Sequence, residues 1–227
     1  MSMEAEVIQI TKKYGRKEVL RGASFRTQSG SCVGILGTNG CGKSTLLKIL
    51  AGVLACDGGQ FLWQGEDLLK NSSLRAETVG YVPQGTPLIE ELSARDNLRL
   101  WYGPEALERS LDSGVLRQLG VHEFLRTTAG KLSGGMKKRL SIGCAMAKDP
   151  AVLLLDEPTA ALDLVCKEQI LNTFDSFRRS GGTLVMVSHD QWELSMCDSW
   201  LHLRDGVLQP YTYDGQLRHL IAELVES

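Results

Sequence analysis

Residues 37–45 read Gly37-Thr38-Asn39-Gly40-Cys41-Gly42-Lys43-Ser44-Thr45 and fit the pattern G-x-x-x-x-G-K-[ST]. They stand between a short apolar run, residues 31–37, which reads as a strand, and residues 43–53, whose apolar spacing reads as a helix. This order constrains the fold more than any other feature of the chain, because a strand feeding a glycine-rich turn and then a helix is a building unit of a parallel α/β sheet. Glycines let the loop wrap closely, so that its N–H groups and the helix N-terminus face a chain of phosphates. Lys43 adds a positive charge for the β- and γ-phosphates, and the Ser44 hydroxyl is suited to ligate Mg²⁺.

The rest of the chain repeats the α/β theme. Residues 151–156 and 183–188 are near-continuous apolar runs, as strands covered on both faces tend to be, and are expected at the centre of the sheet. Between them Ile170, Phe174 and Phe177 recur at helical spacing and Gly181-Gly182 supplies the stop, so a crossover helix is expected over 164–180. Residues 86–150 show no strand and several helical patterns, including 104–119 and 133–148, which reads as an all-helical insertion. Short strand-like pieces with glycine turns over 7–25 and 60–63 suggest an antiparallel lobe. Leu217, Leu220, Ile221, Leu224 and Val225 make an apolar stripe on a closing helix. The expected organisation is one domain over 1–227, with a core of about 1–85 and 151–227 around a helical subdomain of about 86–150.

Composition narrows the function. With 43% hydrophobic and 23% charged residues among 227, the chain can bury a sizeable core, which excludes disorder. Twenty-five basic residues against 27 acidic ones, net −2, argue against broad electrostatic binding to nucleic acid or an anionic membrane. The greasiest stretch, 46–55, is about half the length of a spanning helix, contains Lys48 and is cut by Gly52. The N-terminus lacks a secretory pattern, and the six cysteines form no CxxC pair and no zinc-type cluster with histidine. A reduced cytoplasm without disulfides is the expectation.

A phosphate loop needs a second acidic piece, and Asp156-Glu157 stand at the end of the apolar strand 152–155. There, at the carboxyl edge of a parallel sheet, Asp156 can hold Mg²⁺ through its water shell while Glu157 orients and deprotonates the attacking water. Ser133-Gly134-Gly135 form another anion site: Ser133 is a good N-cap, and the glycines bare the N–H groups at the helix start.

These residues resemble, in order and over essentially the whole chain, the ATP-binding cassette (ABC) ATPases, in particular the nucleotide-binding subunit of an ABC transporter. The resemblance implies an α/β fold: a P-loop NTPase core with a mainly parallel sheet, an antiparallel β lobe and an all-helical insertion. Tyr14 looks like the aromatic that stacks on adenine, Gly37 to Thr45 like the Walker A loop, and Gln84 like the Q-loop glutamine that senses metal and γ-phosphate. Ser133, Gly134 and Gly135 match the signature, Asp156 and Glu157 the Walker B acids, Asp163 the D-loop, and His189 the switch histidine. The implied cofactors are ATP and Mg²⁺, the latter on Ser44, Gln84 and Asp156; the implied catalytic groups are Glu157, His189, Lys43 and Gln84. In such cassettes two copies or paralogues pack head to tail, and the signature of one closes over ATP held by the other, which accounts for the second anion site.

With no span of its own, the chain is expected to work on the cytoplasmic face of the membrane through a separate spanning subunit, docked near Gln84, where Leu88, Ile89 and Leu92 offer apolar side chains. Met136 stands where many members have Gln, and Ala160 and Leu164 replace the Ser and Pro common around the D-loop. The wording of 132–141 and 90–98 resembles the ABC-2 type export branch more than nutrient importers, so export is the expected direction. The rival reading is an ABC protein of DNA repair or translation control acting on nucleic acid or ribosomes; its usual coiled-coil insertions and zinc sites are missing from this sequence, and a small-molecule P-loop kinase leaves Ser133-Gly134-Gly135 without a purpose. Lys137-Lys138-Arg139 read as a solvated helix face, and Trp63, Trp101, Trp192 and Trp200 as packing residues.

Overall fold

A computed structural model describes residues 4–215. Among them are ten strands and eight α-helices: β1 (Glu4–Tyr14), β2 (Lys17–Gln28), β3 (Cys32–Leu36), α1 (Lys43–Leu50), β4 (Gly58–Trp63), β5 (Glu66–Asp67), α2 (Ser72–Thr78), β6 (Val79–Val82), α3 (Ala94–Arg99), α4 (Pro104–Asp112), α5 (Val115–Gln118), α6 (Gly134–Ala145), β7 (Val152–Asp156), α7 (Leu164–Arg179), β8 (Thr183–Val187), α8 (Gln191–Ser195), β9 (Ser199–Arg204) and β10 (Val207–Tyr211).

Six strands form one sheet in the order β10-β9-β3-β8-β7-β6. Every pairing is parallel except the terminal β9–β10 hairpin. Every residue of β3, β7 and β8 is buried. Alternation assigns the two faces. Leu153, Leu155, Leu184 and Met186 enter the core shared with α4, α6 and α7, whereas Val152, Leu154, Val185 and Val187 enter the core shared with α1 and the N-terminal strands. With both faces covered, these strands read as unbroken apolar runs. The edge strands β6 and β10, and β9 next to β10, carry no such run, and their sequences do not read as strands.

The second sheet is antiparallel, in the order β2-β1-β4-β5. A tight turn at Gly15, with φ of 59°, lets Tyr14 pair with Lys17 and leaves Tyr14 at the end of β1.

The segment between β6 and β7 contains helices and one isolated bridge, Ser93 to Thr128. The structure departs from three expectations. Residues 104–119 are two helices, not one, because the chain breaks after Asp112. A Cβ on Gly114 would come 2.8 Å from Ser110 Cα, a close approach that only glycine allows. Lys137-Lys138-Arg139 are not a solvated face: Lys138 is 4% exposed, turned inward on the side of α6 that also buries Ser141 and Ile142. Trp101 and Trp192 are not packing residues, being 58% and 49% exposed, whereas Trp63 is buried and Trp200 half-buried. The expected closing helix over 217–225 lies outside the described residues.

Candidate active site

The loop from Gly37 to Gly42 joins β3 to α1 at the carboxyl edge of the parallel sheet. Gly42, the residue before α1, has φ of 119°, and a Cβ there would lie 2.9 Å from Val19 Cγ1 and 3.2 Å from its carbonyl oxygen. Only glycine meets both demands. No side chain caps α1, so its first N–H groups remain directed at the loop's concave side. Lys43 is buried, and its Nζ donates to the Gly37 carbonyl (2.6 Å) and the Thr38 carbonyl (3.0 Å), which holds the ammonium inside the loop.

Across the strand order, β7 ends at Asp156. The Ser44 hydroxyl donates to Asp156 Oδ1 at 3.1 Å, joining the phosphate loop to the acid. Burial pushes the Asp156 carboxyl above its ordinary range, the Ser44 hydrogen bond opposes this, and the Glu157 charge adds to it. None of the ion pairs among the described residues includes Asp156, so its charge is compensated only at a distance by Lys48 and Lys43.

Glu157 follows in the left-handed region, φ 46°, and its N–H donates to the Val187 carbonyl at 2.9 Å. That conformation is strained for a residue with a side chain. It turns the carboxylate back, where Oε2 accepts from Gln84 Nε2 at 2.9 Å. A cleft of about 630 Å³ is lined by Tyr14, Lys17, Lys43, Ser44, Gln84 and Glu157 together with loop residues Asn39, Gly40, Gly42 and Thr45. Tyr14, half exposed at the mouth, has the Lys12 ammonium 5.7 Å from its ring centre. His189 follows β8 with its ring in contact with solvent. Neighbouring protein lowers its pKa, the nearby Lys43 charge lowers it further, and Glu157 opposes both.

Ser133, Gly134, Gly135 and Asp163 do not line this cleft. Ser133 caps α6, its Oγ accepting from the Met136 N–H at 3.2 Å, and both Ser133 and Gly134 are exposed. Asp163 caps α7 in the same way, Oδ1 accepting from the Cys166 N–H at 2.9 Å. The two caps are neighbours, since a Cβ on Gly135 would meet Cys166 Sγ at 2.8 Å.

A profile described as ABC transporter matches residues 20–160. The chain belongs to the ABC transporter family. Relatives in this family include the linearmycin resistance ATP-binding protein LnrL of Bacillus subtilis, 35% identical over 83% of this chain and 62% of that protein. Another is the Nod factor export ATP-binding protein I of Rhizobium etli, 32% identical over 95% of this chain and 69% of that one. The chain thus spans less than two thirds of the length of the Bacillus relative. Among solved structures, one described as the ATP-binding subunit of an ABC transporter superposes with a TM-score of 0.86 at 26% identity, covering 97% of this chain and 99% of that chain. A bacterial Atm1-family ABC exporter with ATP bound gives 0.82 at 26% identity, over 99% of this chain and 42% of that one. The fold is that of the ABC ATPase cassettes.

Three side chains of this ABC cassette site escaped the sequence reading. Lys17 and Val19 line the cleft from β2, where nothing in a strand sequence marks them. Tyr81 lies on β6, where burial and the neighbouring Asp156 carboxylate hold its hydroxyl protonated. Its place in Tyr-Val-Pro-Gln, just before Gln84, was the available signal.

Proposed function

We propose that this chain is the ATP-binding and hydrolysing subunit of an ABC transporter, driving export through a separate membrane-spanning chain. The observation that carries the reading is the cleft in which the phosphate loop meets Gln84 and Glu157, with Ser44 bonded to Asp156 at the end of β7 and Gln84 to Glu157. ATP binds with its phosphates in the loop of Gly37 to Thr45 and its adenine against Tyr14. Lys43 is freed from the Gly37 and Thr38 carbonyls to neutralise the β- and γ-phosphates. Glu157 orients the attacking water and accepts its proton, while Gln84 keeps the carboxylate in place. His189 contacts the γ-phosphate.

The donors suit Mg²⁺: a hydroxyl, a buried carboxylate with little nearby counter-charge, and the Gln84 amide oxygen, all hard oxygen ligands. When bound, the ion offsets negative charge on the phosphates. Ser44, Asp156 and Gln84 would hold it.

Ser133, Gly134, Gly135 and Asp163, which do not line the cleft, serve the ATP of a second cassette, either another copy or a paralogue. Residues 1–227 make one cassette, with the helical part at about 86–150. Among the described residues no helix is long and apolar enough to cross a membrane, which supports a separate spanning partner and a place on the cytoplasmic face. Export is supported by the Nod factor export and linearmycin resistance relatives. Nucleic acid is not an expected partner.

The test is co-purification from detergent-solubilised membranes together with ATP hydrolysis by the purified complex. A chain that hydrolyses no ATP with Mg²⁺ present, or that is recovered with ribosomes or DNA instead of a spanning protein, overturns the proposal.

A further inference from the structure

α6 touches the candidate site through one buried ammonium. Lys138 Nζ donates to the Pro83 carbonyl at 2.9 Å and to the Gln84 carbonyl at 3.0 Å. The Gln84 side chain continues the path to Glu157. An unbroken series of contacts therefore runs from the α6 backbone, through Lys138 and the main chain at 83–84, to the acid proposed as base. Ser133, the cap of α6, lies five residues before Lys138 on the same helix. At 1.5 Å per residue the two are only about 7.5 Å apart along the axis, a rigid length.

A buried ammonium is costly to desolvate, and an apolar residue of similar shape often stabilises a fold as well or better. Burial lowers the Lys138 pKa, and Glu193, Asp156 and Glu157 raise it, so the ammonium sits in the field of the site's own acids. The preceding residue makes a useful contrast. Lys137 pairs with Glu90 at 3.0 Å, but with a well-exposed carboxylate, and such pairs contribute little. Two adjacent lysines thus grip the same 83–90 segment, and only one does so inside the protein.

We propose that Lys138 is a positioning residue of the active site. By holding the Pro83 and Gln84 carbonyls it sets where the Gln84 amide meets Glu157, and it links that contact to the helix that begins at Ser133. The inference rests on the reading of Gln84 and Glu157 given above.

The test is a double-mutant cycle on ATP hydrolysis by the full chain, with hydrogen exchange of the nucleotide-free protein as a second readout. Lys138→Met, which keeps the stem and removes the donors, is expected to lower kcat about tenfold or more with KM changed less than about twofold. In a Gln84→Ala background the same substitution should change kcat by less than about twofold, because it acts through Gln84. Peptides covering 83–90 should exchange faster in Lys138→Met, while α7 and β8 are unchanged. Lys137→Met, the control that loses only a pair with an exposed carboxylate, should leave all readouts near wild type. Should Lys138→Met fold poorly, Lys138→Gln is carried through the same cycle.

An unaltered kcat in Lys138→Met, a loss repeated in full on top of Gln84→Ala, or unchanged exchange over 83–90 overturns the proposal. If Gln84→Ala itself hydrolyses ATP like wild type, it is the active-site reading of Gln84 that fails, and the exchange data alone decide whether Lys138 anchors the segment.

Discussion

Gln84 Nε2 lies 2.9 Å from Glu157 Oε2, and the register of two parallel strands brings them there. β6 and β7 pair Val82 with Leu155, and each of the two polar residues follows its strand partner by two positions. The contact is therefore a property of the sheet edge, where chain segments far apart in sequence end side by side.

Glu157→Gln should keep ATP binding and lose turnover by about a hundredfold or more, since the amide preserves shape but removes the base. The nucleotide-bound pair of cassettes should then accumulate. Size measurement by light scattering with and without ATP checks this; a variant that stays monomeric at saturating ATP counts against the two-cassette arrangement.

Gly42→Ala should weaken ATP binding, because a Cβ at φ 119° is strained and meets Val19 Cγ1 at 2.9 Å. A cost of about 1–3 kcal/mol is expected, placed on the loop that must receive the phosphates. Calorimetric titration with ATP gives the affinity, and thermal unfolding shows whether the strain is confined to the loop.

His189 should titrate below its ordinary 6.5 in the nucleotide-free protein, since neighbouring protein and Lys43 disfavour the charged ring. The neutral imidazole is the form the fold favours, so its contribution is present above 6.5 and is lost as pH falls through the lower folded value. NMR titration of the ring protons should find the midpoint below 6.5, and Lys43→Met should move it upward.

Leu88 and Ile89, neighbours after Pro87, should separate under substitution. Leu88 packs against the core of the helical side, whereas Ile89 is 45% exposed. Leu88→Glu should cost about 1–3 kcal/mol of thermal stability, and Ile89→Glu less than about 0.5. If a helix of the spanning partner docks here, Ile89→Glu abolishes co-purification without that loss of stability. A variant that still co-purifies removes Ile89 from the docking surface.

The features legible in the chain are those built from neighbours in sequence. The loop of Gly37 to Thr45, the cap Ser133, and the central strands β3, β7 and β8 declare themselves locally, because glycine conformation, capping and full burial act over a few residues. Short edge strands such as β6 are half-covered and only four residues long, so their pattern is too brief to stand out. Lys138 shows most plainly what tertiary structure alone decides. In Lys137-Lys138-Arg139 nothing distinguishes the middle residue, yet its partners lie 55 and 54 residues away at Pro83 and Gln84. Whether a lysine on a helix meets water or two carbonyls depends on which segment packs against that side of the helix, and no local preference of the chain encodes the answer.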